Sequence, residues 1–201
     1  MNGAIFHNFQ KVFFLSILYA LLLSYLSIYQ LNAEEFKRAF PGKIFSFPRD
    51  HFSHPEFKTE WWYYSGHLQS LDQNKRSYGY QLTFFRTALK RETKETKSKW
   101  SIQDLYFGHL ALTDESKKKF EYREKISRGS LGEAGASLYK TGGKPFRVWI
   151  DDWSIDGKGP AMQDHFLKAK DKDFGIELFL TPGKKPVIHG QNGISQKGEG
   201  E

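Results

Sequence analysis

Apolar and polar residues alternate along most of the chain after residue 59, and a period of two is the pattern of β-strands. Residues 60–68 read EWWYYSGHL and contain four consecutive aromatic side chains. A strand shares such a run between its two faces, because successive side chains leave opposite sides. Glu60, Trp62 and Tyr64 therefore share one face, and Trp61 and Tyr63 share the other. If the first face is the inner one, the buried carboxylate of Glu60 must be paired with a cation, have a shifted pKa or take part in the protein's function.

The same pattern predicts further strands at residues 77–86, 105–112, 120–126, 146–155, 165–170, 174–181 and 184–189. Prolines keep residues 34–59 extended, and the Gly, Ser and Ala of residues 128–144 predict a loop over one end of the sheet. No amphipathic helix is evident after residue 33. Seven to nine antiparallel strands predict an all-β fold that closes into a barrel or stacks as a sandwich. The sequential hairpins favour a lipocalin-like up-and-down barrel, whose interior has room for one apolar ligand.

Residues 12–29 form an uncharged hydrophobic run that follows Lys11. Such a run predicts a helical export signal or a signal anchor, and its 18 residues reach the lower bound for spanning a bilayer. Cleavage near Ala33 is favoured over retention. We therefore expect a signal at 1–33, an extended leader at 34–59, a barrel domain at 60–190 and a polar tail at 191–201. The domain is expected to be exported, in the periplasm or secreted, or held at the inner membrane through residues 12–29 if the signal is retained.

Composition and charge limit the classes of function that this sequence can have. The chain has 201 residues, a net charge of +7, a pI near 9.4 and no cysteine. Its length suits a single domain core, and the lack of cysteine excludes disulfides and thiolate metal sites. The lysines are mixed with acids at 90–99 and 114–125, which is typical of solvated turns and not of a one-sided basic surface. We therefore expect no nucleic-acid partner.

The candidate catalytic residue is Glu60, which as a buried acid beside Trp62 could protonate an alkene or polarise a carbonyl. The favoured alternative is a structural ion pair with a basic residue such as Arg86. Two histidines of the leader, His51 and His54, are a weak zinc pattern without a placed third ligand, so no metal and no cofactor are predicted. The residues expected to bind an apolar ligand are Trp62, Tyr64, Tyr80, Gln81, Phe84, Arg86, His109 and Trp153.

Several segments resemble, in order and spacing, the AttH-like family of lipocalin-type proteins. They are PRDH at 48–51, HPEF at 54–57, TEWWYY at 59–64, YGYQLTFFR at 78–86 and HLALTD at 109–114. The family includes carotenoid hydratases and many exported proteins described as predicted hydrolases. Its members are usually about twice this length, with two lipocalin-like halves, and the resemblance here runs from about residue 47 to the C-terminus. It implies that a second half packs on this domain.

The resemblance and the residues together leave three functions open. The first is an exported domain that binds an isoprenoid or lipid-like molecule, as the N-terminal half of a hydratase-like or hydrolase-like protein. The second is a cofactor-independent hydratase or hydrolase with Glu60 as its acid. The resemblance implies that the catalytic aspartate and histidine of the hydratases lie in the second half, so no residue here is matched to them and enzymatic activity stays open. The third is a non-catalytic envelope scaffold whose barrel is filled by its own side chains.

Overall fold

The computed structural model describes residues 17, 36–89, 100, 102–190 and 192–195. The chain divides into the units Met1–Glu35 and Phe36–Glu201, and the architecture below is that of the second. The predicted signal at 1–33 lies outside the described residues except for Ile17. Within the described part of the chain, no helix is long and apolar enough to cross a membrane.

Four long strands form the first sheet, as a meander in chain order. They are β1 (Thr59–Gln69), β2 (Ser77–Ala88), β3 (Asp104–Asp114) and β4 (Lys119–Ser127). Burial alternates along β1, where Glu60, Trp62 and Tyr64 are the half-buried members and Trp61 and Tyr63 the exposed ones. The face assignment made from the sequence for this strand is therefore confirmed.

Five shorter strands form the second sheet, again antiparallel and in chain order. They are β5 (Ala134–Ala136), β6 (Arg147–Ile150), β7 (Trp153–Lys158), β8 (Asp164–Lys170) and β9 (Gly175–Leu180). One-turn 3-10 helices occur at Arg49–His51 in the leader and at Ser130–Gly132 between the sheets. The all-β prediction is confirmed, and the nine described strands fall within the expected number.

The expected closed barrel is wrong: the described strands form two open sheets. Strand β4 pairs with β3, and the next strand along the chain, β5, pairs with β6. The link between them contains Gly129, Leu131 and Gly132 at positive φ values of 63°, 57° and 80°. This backbone turns the chain from one sheet into the other. A period of two marks which residues face inward, and it holds equally for a barrel and for two stacked sheets.

The inner faces of both sheets contribute to one apolar core, so the space expected for a ligand is filled by side chains. Residues exposed by 1% or less are Phe52, Leu82, Phe84, Leu110, Phe146, Val148, Ile150, Trp153, Ile155, Leu167 and Ala169. Gly108 on β3 permits a close approach of the second sheet, since a Cβ there would lie 3.2 Å from both Ile150 and Trp153. Interiors packed in this way leave few voids larger than a water molecule.

Two local predictions are also wrong. Residues 146–155 are not one strand, because Asp151 adopts a positive φ of 51° and starts a two-residue hairpin turn that pairs Ile150 with Trp153. Asp151 and Asp152, the two residues of this turn, both contact Lys125 Nζ, at 3.2 and 2.5 Å. Residues 184–189 have no strand structure.

The two sheets differ in strand length, and the difference leaves part of one inner face half-covered. The longest strand of the first sheet has 12 residues and that of the second has 7, which corresponds to about 40 Å against about 23 Å. Beyond Tyr64 the inward residues of the first sheet are only half-buried. We call these residues the inner shelf: Gly66, Leu68, Tyr78, Tyr80 and Leu112.

Candidate functional site

Two polar clusters occupy the inner face of β1, where the leader packs against it. The first, the charge cluster, consists of Asp50, His54, Glu60, Arg86 and Asp104. Glu60 and Arg86 are direct partners in the register of β1 and β2, so the ladder itself brings their side chains together. The leader supplies the remaining contacts, since residues 49–57 pass over this end of the sheet.

Arg86 is the centre of the charge cluster, although it is only 2% exposed. Its guanidinium donates to Glu60 Oε2 at 3.3 Å and to Asp104 Oδ1 at 3.0 Å. It also donates to the backbone carbonyls of His54 and Phe57, at 3.2 and 2.7 Å. Two carboxylates and two carbonyls thus surround one buried cation, which compensates its desolvation.

Glu60 is held as an anion by this cluster. Its oxygens accept from Ser53 Oγ at 2.8 Å, from the His54 amide at 2.9 Å and from Arg86. His54 Nδ1 lies 2.8 Å from Glu60 Oε1, and its Nε2 lies 3.2 Å from Asp50 Oδ1. Burial alone would raise the pKa of Glu60, but these hydrogen bonds and the charge of Arg86 outweigh it and lower the pKa. The hydrogen bond to Glu60 raises the pKa of His54 despite burial.

These contacts favour the structural alternative for Glu60. An acid that donates a proton to a substrate needs a protonated form at working pH and a free oxygen near the reacting atom. Here both oxygens of Glu60 already have protein partners, and its pKa is lowered. The ion pair between Glu60 and Arg86 is the pairing expected from the sequence as the alternative to catalysis.

The second cluster, the His–Tyr cluster, consists of His51, Tyr64 and His165. The hydroxyl of Tyr64 on β1 lies 2.6 Å from Nδ1 of His165 on β8, a contact between the two sheets. The ring of His51 meets the ring of His165 edge-on, with 4.8 Å between centroids. Phe146 lies beside both imidazoles, at 5.9 Å from His51 and 5.5 Å from His165.

Burial keeps this cluster uncharged. It lowers the pKa of His51 to about 4, with a further contribution from the neighbouring His165. Burial also lowers the pKa of His165 and raises that of Tyr64. Near neutral pH the cluster is therefore two neutral imidazoles and a neutral phenol. The charge cluster is built from charged groups instead, and its Glu60 lies four residues from Tyr64 on the same strand.

The leader connects the two clusters. The indole of Trp62 donates to the carbonyl of His51 at 2.9 Å, and the neighbouring Phe52 is 1% exposed against Phe146. The segment that carries His51 is thereby fixed to β1 on one side and to the core on the other. His51 and His54 are three residues apart, yet their rings enter different clusters.

The eight residues predicted to bind a ligand do not form one site. Trp62, Tyr64 and Tyr80 are half-buried on the inner face, and the Tyr80 ring lies over Gly66, where a Cβ would come within 3.0 Å of it. Phe84, Arg86 and Trp153 also point inward, but at 2% exposure or less they are covered by neighbouring protein groups. Gln81 and His109 do not point inward.

Strand parity directs the side chains of Gln81 and His109 away from the core. Gln81 is exposed between the inward residues Tyr80 and Leu82. His109 lies on the outer face, 5.4 Å from the ring of Phe85 and 5.9 Å from that of Tyr122. Each alternates with buried neighbours, so its side chain is directed away from the core.

His165 is the residue of the site that the sequence analysis missed. It is 9% exposed, and it shares the inward face of β8 with Leu167 and Ala169. That parity was visible in the pattern of residues 165–170. Its contact with Tyr64, 101 residues away in the chain, was not.

A metal site is not evident either. In the described residues, no group of three or more His, Asp, Glu or Cys side chains is arranged to hold a metal ion. The closest arrangement of imidazoles, His51 with His165, has Tyr64 as its polar neighbour. The imidazoles of the two leader histidines belong to separate clusters.

The outer face of the first sheet carries an apolar row across all four strands. Trp61, Phe85, Phe107 and Ile126 are successive register partners on β1 to β4, and we call them the outer apolar row. Trp61 is 54% exposed and Ile126 is 64% exposed, and the two phenylalanines between them are half-buried. Contiguous exposed apolar surface of this kind is typical of an interaction site.

Comparisons with known proteins agree with the architecture. The family model described as AttH-like matches residues 38–201. Among solved structures, the chain is similar to a protein designated AttH from Nitrosomonas europaea, with 31% identity and a TM-score of 0.65. The match covers 82% of this chain and 46% of that one, so this chain spans about half the length of its structural relative. No curated protein matches.

Proposed function

Because this chain belongs to the AttH-like family, we propose that it is an exported all-β module that binds an apolar ligand on its inner shelf. The observation that carries this proposal is the half-covered inner face beyond Tyr64. Ligand sites are mostly apolar surfaces with a few polar groups that fix orientation. The inner shelf has this composition, with the Tyr64–His165 pair at its boundary with the filled core.

The place of the ligand differs from the barrel interior expected from the sequence. The core between the sheets is occupied by residues such as Phe84 and Trp153, which are at most 1% exposed. The shelf instead offers Tyr80, Leu112 and Leu68 as apolar surface that the shorter second sheet leaves half-covered. An isoprenoid or acyl chain that lies along this surface would bury it from water, and this burial would contribute about 25 cal/mol of binding free energy per Å² of apolar area.

Binding can be tested with a pair of matched tyrosine variants. We expect purified protein to enhance the fluorescence of anilinonaphthalene sulfonate and to retain lipids from a membrane extract. Tyr80→Ser should weaken both, because Tyr80 belongs to the shelf. Tyr63→Ser on the outer face should leave both unchanged, since Tyr63 is 62% exposed on the opposite side of β1. Equal effects of the two variants, or no retained lipid in the parent protein, would refute the shelf as the site.

We propose further that the outer apolar row is the surface on which a second domain packs. Two observations support this: the row is exposed, and this chain corresponds to 46% of its structural relative. Co-expression with the remaining half of a full-length AttH-like chain, followed by co-purification, tests the pairing. Loss of co-purification on Trp61→Ser, with Tyr80→Ser unaffected, is the expected result, and the reverse pattern would contradict it.

Export is proposed from residues 12–29, which form an uncharged apolar run after a basic start. Fractionation of expressing cells should recover the protein outside the cytoplasm, and mass spectrometry should give a mature mass that starts near residue 34. Recovery of the uncut chain in the soluble cytoplasmic fraction would refute export. The uncut chain in the membrane fraction would indicate a retained anchor.

A further inference from the structure

Of the nine described strands, β1, β4, β5 and β9 lie at the edges of the two sheets, and three of these edges are protected. β5 and β9 have only three and six residues. β4 places the charged residues Arg123 and Lys125 opposite Leu110 and Gly108, which face the core. Short strands and inward-pointing charges are two of the devices by which proteins prevent an edge from pairing with another strand.

Strand β1 is an edge strand without these devices. Its eleven residues, TEWWYYSGHLQ, pair with β2 in one uninterrupted register from Thr59 to Gln69, so it contains no bulge. It has no lysine, arginine or proline, and its one carboxylate, that of Glu60, is held in the charge cluster. Among the described residues, β2 is the only strand paired with it. A long, apolar edge of this kind is a template on which another strand can pair.

Two hydrogen bonds just outside the ladder show which backbone groups of β1 face its open side. The Ala88 amide donates to the Lys58 carbonyl at 2.8 Å, and the Ser70 amide donates to the Arg76 carbonyl at 2.8 Å. Both pairs continue the β1–β2 register, so the even-numbered residues of β1 bond to β2. Because backbone direction alternates along an antiparallel strand, the odd-numbered residues face the other side. We call the free edge the backbone N–H and C=O groups of Trp61, Tyr63, Ser65, His67 and Gln69.

The sequence of β1 is complementary to itself in the antiparallel direction. The register that pairs all eleven residues is centred on Tyr64, and it sets odd-numbered residues opposite odd-numbered ones, as hydrogen bonding through the free edge requires. In this register Trp62 lies opposite Gly66 of the partner subunit, so a large side chain meets a residue that has none. Glu60 lies opposite Leu68 of the partner subunit, so the two carboxylates do not oppose each other.

We propose that two copies of this chain join edge to edge through β1, as an antiparallel pair across a two-fold axis at Tyr64. The two four-stranded sheets then form one continuous sheet of eight strands. The same arrangement at β4, whose central residue is Arg123, would set two guanidinium groups opposite each other, and like charges in that position are destabilising. In the β1 dimer Gly66 of the inner shelf lies beside Trp62 of the partner subunit, so the two shelves become neighbours. The dimer depends on backbone pairing and goes beyond the proposed ligand binding.

Sedimentation of the full chain over serial dilution should show an equilibrium between monomer and dimer. Ser65→Pro removes one free-edge N–H, and proline is tolerated on an edge strand where its nitrogen faces solvent. This variant should weaken the dimer about a hundredfold, because the two-fold axis makes the loss occur twice and each loss leaves a carbonyl unpaired. Ser65→Ala keeps the N–H and should dimerise as the parent does. A chain that stays monomeric at every concentration, or equal dimerisation of the two variants, would overturn the inference.

Amide hydrogen exchange on the parent chain keeps the inference testable if Ser65→Pro does not fold. Even-numbered amides such as those of Tyr64 and Gly66 bond to β2 and should exchange slowly at every concentration. Odd-numbered amides such as those of Tyr63 and Ser65 should exchange quickly in the monomer and at least about tenfold more slowly in the dimer. A dimer whose odd-numbered amides stay fast would use another surface, such as the outer apolar row, and would overturn the inference. Failure to bind lipid would refute the proposed function and leave this dimer unaffected.

Discussion

The charge cluster and the His–Tyr cluster lie on the same face of β1, four residues apart, and they differ in charge. Arg86 donates to four oxygens, and Glu60 accepts from three residues. In the other cluster burial lowers the pKa of both imidazoles and raises that of the phenol, so these groups are neutral. A saturated network has no capacity left for a ligand and holds the leader on the sheet.

The largest expected effect comes from breaking the saturated cluster. Arg86→Met should reduce the free energy of unfolding by about 3–5 kcal/mol, because Glu60 and Asp104 would be left without their buried cation. Urea denaturation measures this loss. Arg147→Met is the matched control, since its pair with Asp156 is half-exposed and should be worth at most about 1 kcal/mol. Equal losses in the two variants would show that the charge cluster is not what holds the leader.

The two leader histidines should give opposite pH dependences of stability. The pKa of His51 is about 4 in the fold against 6.5 as its ordinary value, so the unfolded chain takes up a proton first. Proton uptake by His51 in the unfolded chain therefore lowers the free energy of unfolding as the pH falls from about 6.5 towards 4. The full effect should be about 1–2 kcal/mol, after allowing for partial solvent exposure of the ring. The pKa of His54 is raised, so its contribution is present below pH 6.5 and is lost as the pH rises through the folded value.

Unfolding free energies of His51→Phe and His54→Gln, measured from pH 4 to pH 8, separate the two contributions. His51→Phe should flatten the decline between pH 6.5 and 4. His54→Gln should remove stability mainly on the acidic side of pH 6.5. The lowered pKa of Glu60 adds a further acid loss below about pH 4.5 in the parent protein. Parallel curves for the two variants would contradict the assignment of these histidines to different clusters.

A smaller effect is expected at Tyr64. Tyr64→Phe removes one hydrogen bond between the sheets and should cost about 0.5–1.5 kcal/mol in chemical denaturation. A loss as large as that of Arg86→Met would mean that the His–Tyr cluster is as structural as the charge cluster.

The sequence predicted how the aromatic run divides between the two faces of β1, because strand side chains alternate, but it left open which face is inward. Glu60 and Arg86 follow from that parity as cross-strand partners. The sequence analysis names Gln81 as a ligand-binding residue, whereas the strand parity directs its side chain away from the core. Whether the strands close into a barrel was not predictable, because alternation of apolar and polar residues is the same whether or not β4 pairs with the next strand. The pairing of Tyr64 with His165 depends on how the two sheets stack, which no local pattern contains.

The smallest effect on stability is expected on the outer face, where a residue can bind a partner without stabilising the fold. Trp61→Ser should change the free energy of unfolding by no more than about 0.5 kcal/mol, because Trp61 is 54% exposed and its partners in the outer apolar row stay in place. The same variant should abolish co-purification with a second AttH-like half, since a large aromatic at an interface carries a large share of binding. Sedimentation of the two halves, separately and mixed, measures this. A variant that loses stability but still binds the second half would show that Trp61 stabilises the fold, as the charge cluster does, and does not form the interface.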